Sequence, residues 1–208
     1  MDDDRSWIRI GARWGDLHRL PNSRTCAGCD LCCTVAGVHV AALEKAPGVR
    51  CTHLTALTPA GRNCMIYARR PGACAGFQCL WRCSETTFSA EYFPPDCGFA
   101  IWINDAMKWP MTITVGCDPQ RPTAWDRPRF RARFKALAYE LNCIVAIGEG
   151  ELCTHVFAPS GRVYSKAERP EFFIEGGRRV GVPSKDFRPG VQPTLAEVAQ
   201  AILGIGRP

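Results

Sequence analysis

Cys26, Cys29, Cys32 and Cys33 spell CxxCxxCC within eight residues, and this is the densest concentration of reactive side chains in the sequence. A CxxC knuckle directs two sulfurs at one ion, at about 2.3 Å for zinc. Gly28 sits where such a knuckle needs backbone freedom. Adjacent residues in an extended chain point to opposite sides, so Cys32 and Cys33 are expected to serve different ions, or only one of them to ligate. Downstream, Cys51, Cys64, Cys74 and Cys79 each lie among turn-forming residues: Pro47-Gly48, Gly61, Pro71-Gly72 and Gly76. Eight candidate ligands result. As two closed zinc sites they would carry about four negative charges in excess, which Arg24, Arg62, Arg69, Arg70 and Arg82 are available to offset.

Iron is the competing metal. Cys26, Cys29 and Cys32 also match the opening of a ferredoxin-like CxxCxxC run, which a remote fourth cysteine would complete into an iron-sulfur cluster, although the usual Cys-Pro is absent. Spacing leaves zinc and iron both open, and the mixed knuckles and lone cysteines tilt the reading toward zinc. Buried, unligated thiols are the bland alternative, and the Gly, Pro and polar neighbours of these cysteines argue against it. Cys83 is read as a spare. Cys97, Cys117, Cys143 and Cys153 are scattered singly and are expected to pack in a core. His53, two residues after Cys51, is expected outside the ligand set, and His39 more so.

The same residues resemble the bacterial YkgJ-type cysteine-cluster family, described as a zinc- or iron-chelating domain. The resemblance covers Cys26 to Trp81. It runs through CxxCxxCC, then Cys51-Thr52-His53-Leu54, then Cys64-Met65-Ile66-Tyr67-Ala68-Arg69-Arg70-Pro71-Gly72-Ala73-Cys74, and closes on Phe77-Gln78-Cys79. It implies metal chelation. A similar cluster in flagellin lysine methylases hints at a protein-modifying role, but this chain is much shorter and shows no recognisable methyl-donor site.

The rest of the chain must position that cluster. With 208 residues and 46% apolar content, one compact domain or two small packed ones can form. Residues 1–24 read as an N-terminal arm, with Trp7-Ile8-Arg9-Ile10 and Trp14 packing on the body. Residues 25–95 form the cysteine-cluster module, where ligation replaces an apolar core. Pro94-Pro95-Asp96 marks a seam, and residues 96–208 read as an α+β region. There Met111–Val115 alternates as a half-buried strand, and Phe130, Phe134, Leu137 and Leu141 predict an amphipathic helix over Arg127–Asn142. Cys143–Ile147 is an apolar strand, and Leu152–Ala158 with Arg162–Tyr164 flank a Pro159-Ser160-Gly161 turn. Thr194 and Glu197 form a capping box for a last helix. The expected fold class is α+β: an irregular Cys-rich metal-bound module docked on a small mixed sheet of three or four strands, with one or two covering helices.

Thirteen cysteines would suit a disulfide framework, but Met1-Asp2-Asp3-Asp4-Arg5-Ser6-Trp7 has neither a basic n-region nor an apolar h-region, so reduced thiols in a cytoplasm are expected. No stretch approaches about 18 consecutive apolar residues, so no membrane partner is expected. The net charge of +6 is modest. Arg121, Arg127, Arg129, Arg131, Arg133 and Lys135, with Trp125, Phe130 and Phe134 between them, are the only nucleic-acid-like feature. Because Phe130 and Phe134 fall on the apolar helical face, the run reads as a solvated basic face. No GxSxG, phosphate loop or dinucleotide fingerprint occurs. The leading reading is a metal-binding protein, zinc or iron, whose metal is structural or chelating; catalytic residues are not legible. An iron-sulfur redox or protein-modifying enzyme component is the alternative, and a nucleic-acid-binding module the second. Neither a protein partner nor an oligomeric state can be read.

Overall fold

A computed structural model describes residues 24, 25, 28–56, 64–77, 79–85, 87–104, 111–150, 152–174, 179–191, 193 and 202. The N-terminal aromatic arm and the capping box at Thr194 and Glu197 lie outside the described residues. The first half carries short pieces: α1 (Cys32–Val35), a hairpin of β1 (Val38–Val40) and β2 (Leu43–Lys45), then α2 (Gly72–Ala75), α3 (Leu80–Cys83) and α4 (Pro94–Cys97). The expected seam at Pro94-Pro95-Asp96 is therefore helical, with proline at the first helical positions, where its missing N–H costs nothing.

A five-stranded sheet follows, built from β3 (Phe99–Asn104), β4 (Thr112–Cys117), β5 (Ile144–Glu149), β6 (Leu152–Phe157) and β7 (Val163–Ser165), in that spatial order. β4 and β5 are parallel and the other neighbours antiparallel, so the sheet is mixed. The parallel pair is bridged by helix α5 (Pro128–Glu140), since parallel neighbours need a crossover. The α+β class is as expected, with five strands in place of three or four. Helix α5 is two residues shorter at its C-terminal end than the periodicity predicts: Leu141 caps it and Asn142 turns left-handed at φ 46°. The predicted hairpin forms, closed by Gly161 N–H to the Ala158 carbonyl. A further pair, β8 (Phe173–Ile174) and β9 (Arg179–Val180), has no counterpart in the sequence reading.

The sheet is covered on both faces, which explains the missed strand. Alternate residues Phe99, Ile101, Ile113, Val115, Val145, Ile147 and Phe157 pack with Phe130, Phe134 and Leu137 of α5. On the other face, Ile144, Ala146, Val156 and Tyr164 meet Phe172, Phe173, Val182 and Phe187 from the C-terminal segment. Beside them, Ala100 and Trp102 of β3 meet Leu31, Val35, Cys29 and Cys79. A strand buried on both sides shows no polar alternation, so Phe99-Ala100-Ile101-Trp102 carries no period-2 signal. Leu80, Phe88 and Tyr92 also enter the helix-side core from the N-terminal half.

The cysteine region sits on the sheet through a close approach at Gly116. A Cβ there would lie 2.5 Å from the Trp102 ring and 3.1 Å from Val35, and the Trp102 ring is itself held against Phe77. Gly116→Ala is expected to destabilise the protein by about 1–3 kcal/mol through overpacking, read as a lower urea midpoint with an unchanged slope. An unaltered midpoint would mean that this contact does not constrain the docking.

Candidate metal centre

The local chain brings the cysteines together by short turns. Gly28 takes φ 75° between the first knuckle positions, as a tight knuckle requires. Cys32 and Cys33 open α1; they are therefore helical, and the extended geometry expected for them is not found. Residues one apart on a helix are separated by about 100°, yet the Cys32 and Cys33 sulfurs stay within hydrogen-bonding reach of each other. The Cys51 N–H donates to the Cys33 carbonyl at 2.9 Å. Cys64 is bridged to Leu54, and the Met65 N–H donates to the His53 carbonyl at 2.9 Å, which returns the chain toward Cys51. Cys74 lies in α2, and Cys79 precedes α3.

Seven of the eight predicted ligands are described and carry thiols, and Cys26 lies outside the described residues. Five of them fall into two packed groups. Cys33, Cys51 and Cys74 pack with Val38, Val40, Leu43 and Leu54. Cys29 and Cys79 pack with Leu31, Val35, Ala100 and Trp102. Charge interactions complete the picture: Cys74 is acted on by Cys33, Cys51 and Cys64, whereas Cys32 is acted on by Cys33, Cys29 and Cys79. Among the described residues no three His, Cys, Asp or Glu side chains are set at metal-holding geometry. The donor chemistry fits a thiophilic ion, and the sulfurs are gathered rather than positioned as ligands.

The electrostatics favour negative sulfur at Cys33. The Cys32 thiol donates to the Cys33 sulfur, which is the main reason Cys33 falls to about 7; burial opposes this, and the charges of Lys45 and Arg70 assist it. That same hydrogen bond, then burial, holds Cys32 well above the usual thiol range. Burial likewise raises Cys74, with its three cysteine neighbours adding to the shift.

Lys45 is a feature that sequence reasoning missed. It is only 6% exposed, and its ammonium donates to the carbonyls of Thr34 (3.0 Å), Val49 (2.9 Å) and Ala46 (3.3 Å). Burial pulls it below the usual lysine value, and the charges of Cys51, Cys33, Cys32 and Cys74 push it back up. Its only trace in the sequence is alternation with Leu43, which places both on the inner face of β2.

Of the predicted counter-cations, Arg70 stacks 3.9 Å over Tyr67 and lowers both Cys33 and Cys74 by its charge. Its Nε is buried and has no hydrogen-bond partner among the described residues, as is also true of Arg82 Nε and Trp81 Nε1. Arg24 stacks on Trp81 and donates to the Trp81 and Ser84 carbonyls at 2.6 and 3.0 Å. Arg69 is exposed, and Arg62 lies outside the described residues.

The other cysteines behave as core. Burial pushes Cys97 and Cys153 up to about 12, and Cys117 and Cys143 further still; such thiols stay protonated and inert. Cys83, the last residue of α3, is buried. His39 bonds Glu44 at 2.6 Å across the β1–β2 hairpin, at the surface. On the basic helix, Phe130 and Phe134 are fully buried, and Arg129, Arg131 and Arg133 pair with Glu91, Asp126 and Glu140. Among the described residues no helix is long and apolar enough to cross a membrane. Compared with protein-family models, curated proteins and solved structures, the chain matches none.

Proposed function

We propose that this is a metal-binding protein whose cysteine cluster holds zinc or iron, with a mainly structural or chelating role. The observation that carries the reading is the contrast between two populations of cysteine. Cys32, Cys33, Cys51 and Cys74 interact with the Lys45 ammonium, and Arg70 acts on Cys33 and Cys74, while Cys97, Cys117, Cys143 and Cys153 are buried in the core. Thiols that serve only as small hydrophobes need no cations nearby, whereas a thiolate site does. Cys26, Cys29, Cys32, Cys33, Cys51, Cys64, Cys74 and Cys79 form the proposed ligand set. The motif from Cys26 to Trp81 supports membership of the YkgJ-type family. A cytoplasmic location belongs to the same reading, because so many thiols require a reducing compartment.

Elemental analysis of anaerobically purified protein, with its visible spectrum, is the test. Zinc in a colourless sample is the expected result. Iron with inorganic sulfide and broad visible absorption would assign the working role to an iron-sulfur cluster and move the reading toward a redox or protein-modifying component. Protein that holds no metal and takes none up under reducing conditions would overturn it. Nucleic-acid binding is not favoured, because the buried phenylalanines cannot stack on bases and three of the arginines already face carboxylates.

A further inference from the structure

Lys45 is buried, and all its hydrogen bonds go to uncharged groups, the carbonyls of Thr34, Ala46 and Val49. Those bonds use the three donors of an ammonium without neutralising its charge. Among the described residues no carboxylate pairs with it, and the negative groups that support its charge are Cys51, Cys33, Cys32 and Cys74. A buried charge left uncompensated is strongly destabilising, so one that persists is matched by charge of opposite sign. Of these neighbours only sulfur can supply it, and metal binding is what converts thiols to thiolates. The acceptors also define what the ammonium holds in place. Thr34 follows Cys33 in α1, and Val49 stands two residues before Cys51. The same two segments meet through the bond from the Cys51 N–H to the Cys33 carbonyl at 2.9 Å. The turn over residues 46–49 is itself pressed on the sheet, since a Cβ at Gly48 would lie 2.8 Å from the Gly150 Cα in the β5–β6 connection.

We propose that Lys45 is the positioning residue of the cysteine centre: its ammonium fixes the backbone of α1 just after Cys33 to the turn just before Cys51, and supplies the buried positive charge that favours a thiophilic metal ion held by thiolates. This rests on the metal-binding reading above and adds the residue on which the affinity depends. Lys45 is not itself a ligand, because it stays a protonated donor with its three N–H groups on carbonyls. It acts through Cys33 and Cys51, by where their backbones lie and by the charge beside them.

Zinc and cobalt(II) titrations of the full chain under reducing conditions compare wild type with two variants. Lys45→Met keeps the aliphatic stem without charge or donors, and Lys45→Arg keeps the charge. The Met variant is expected to bind zinc about 10- to 100-fold more weakly, the usual effect of removing a group that orients a metal's ligands, and to show less sulfur-to-cobalt absorption per bound cobalt. The Arg variant is expected to recover most of both. Wild-type affinity and spectrum in Lys45→Met would overturn the proposal. So would an equal loss of affinity in both variants with unaltered cobalt spectra, the signature of packing alone. Wild type that takes up neither ion would overturn the metal-binding reading and this assignment with it. A measurement on wild type avoids any failure of the variants to fold. Acetic anhydride is expected to acetylate Lys45 in metal-stripped protein and to spare it in zinc-loaded protein, with exposed Lys185 modified in both. Equal modification of Lys45 in the two states would overturn the proposal.

Discussion

Stripping metal from the protein with a chelator is expected to abolish amide protection across residues 28–85 while the five-stranded sheet keeps its own. The reason lies in how little the first half has to hold itself together. Helices α1, α2 and α3 are four residues each, and β1 and β2 three each, whereas isolated helices below about 12–15 residues are marginal and a lone hairpin is no better. Apart from Leu80 and Trp81, which pack into the helix-side core, the apolar clusters here are small, Leu31, Val35 and Ala100 in one and Leu43, Cys51 and Leu54 in the other. A structural zinc site contributes about 10 kcal/mol or more to folding, which exceeds anything such clusters supply. Cys29→Ala and Cys74→Ala are expected to act in the same direction, lowering bound metal and loosening the same residues. Cys143→Ala should leave metal content unchanged and cost only packing, because Cys143 is fully buried beside Leu137, whose carbonyl its thiol faces at 3.8 Å. Hydrogen exchange with and without chelator decides this, and unchanged protection over residues 28–85 would show that the metal does not hold the region.

The second large effect belongs to the other core. Phe134→Ala is expected to cost about 3–5 kcal/mol, the usual loss for a deleted buried phenylalanine. Phe134 is fully buried, with ring centroids 5.6 Å from Phe99 and 5.8 Å from Phe157, both edge-on. It is the point where α5 grips β3 and β6 at once, so the space it leaves cannot close without moving three elements. Total stabilities of about 5–15 kcal/mol make such a loss a large fraction of the whole. Guanidinium denaturation of metal-loaded protein measures it. A loss under about 1 kcal/mol would mean that the core around Phe134 collapses to fill the gap.

Which parts were legible depended on whether the signal was local. Phe130, Phe134 and Leu137 repeat at helical spacing and are all buried, so α5 could be read directly; its end at Glu140 could not, because it is set by Asn142. That residue's amide donates to the Arg188 carbonyl and accepts from the Arg188 N–H, a partner 46 residues away. The β6–β7 hairpin was legible through its Pro-Ser-Gly turn. Strand β3 was not, since burial on both faces erases alternation. The identity of the candidate ligands could be read from spacing, but their grouping could not. It depends on the hydrogen bond between Cys32 and Cys33 at the start of α1 and on β2 delivering Lys45 to the cysteines, neither of which a motif encodes. The same holds for Gly116, whose lack of a side chain matters only once Trp102 lies over it.

The covered face of β3 has a consequence for biosynthesis. The candidate ligands Cys29 to Cys79 all precede the strands on which part of their cluster packs, and the sheet is complete only once Ser165 has been made. Translation proceeds N-terminus first at about 5–20 residues per second, so Cys74 leaves the ribosome on the order of ten seconds before the last strand. For that interval the nascent chain displays a run of thiols with no platform beneath them, one of them, Cys33, poised to ionise near neutral pH in the finished fold. The compartment's reductants and its pool of available metal, rather than the finished fold, must protect those sulfurs until the sheet arrives.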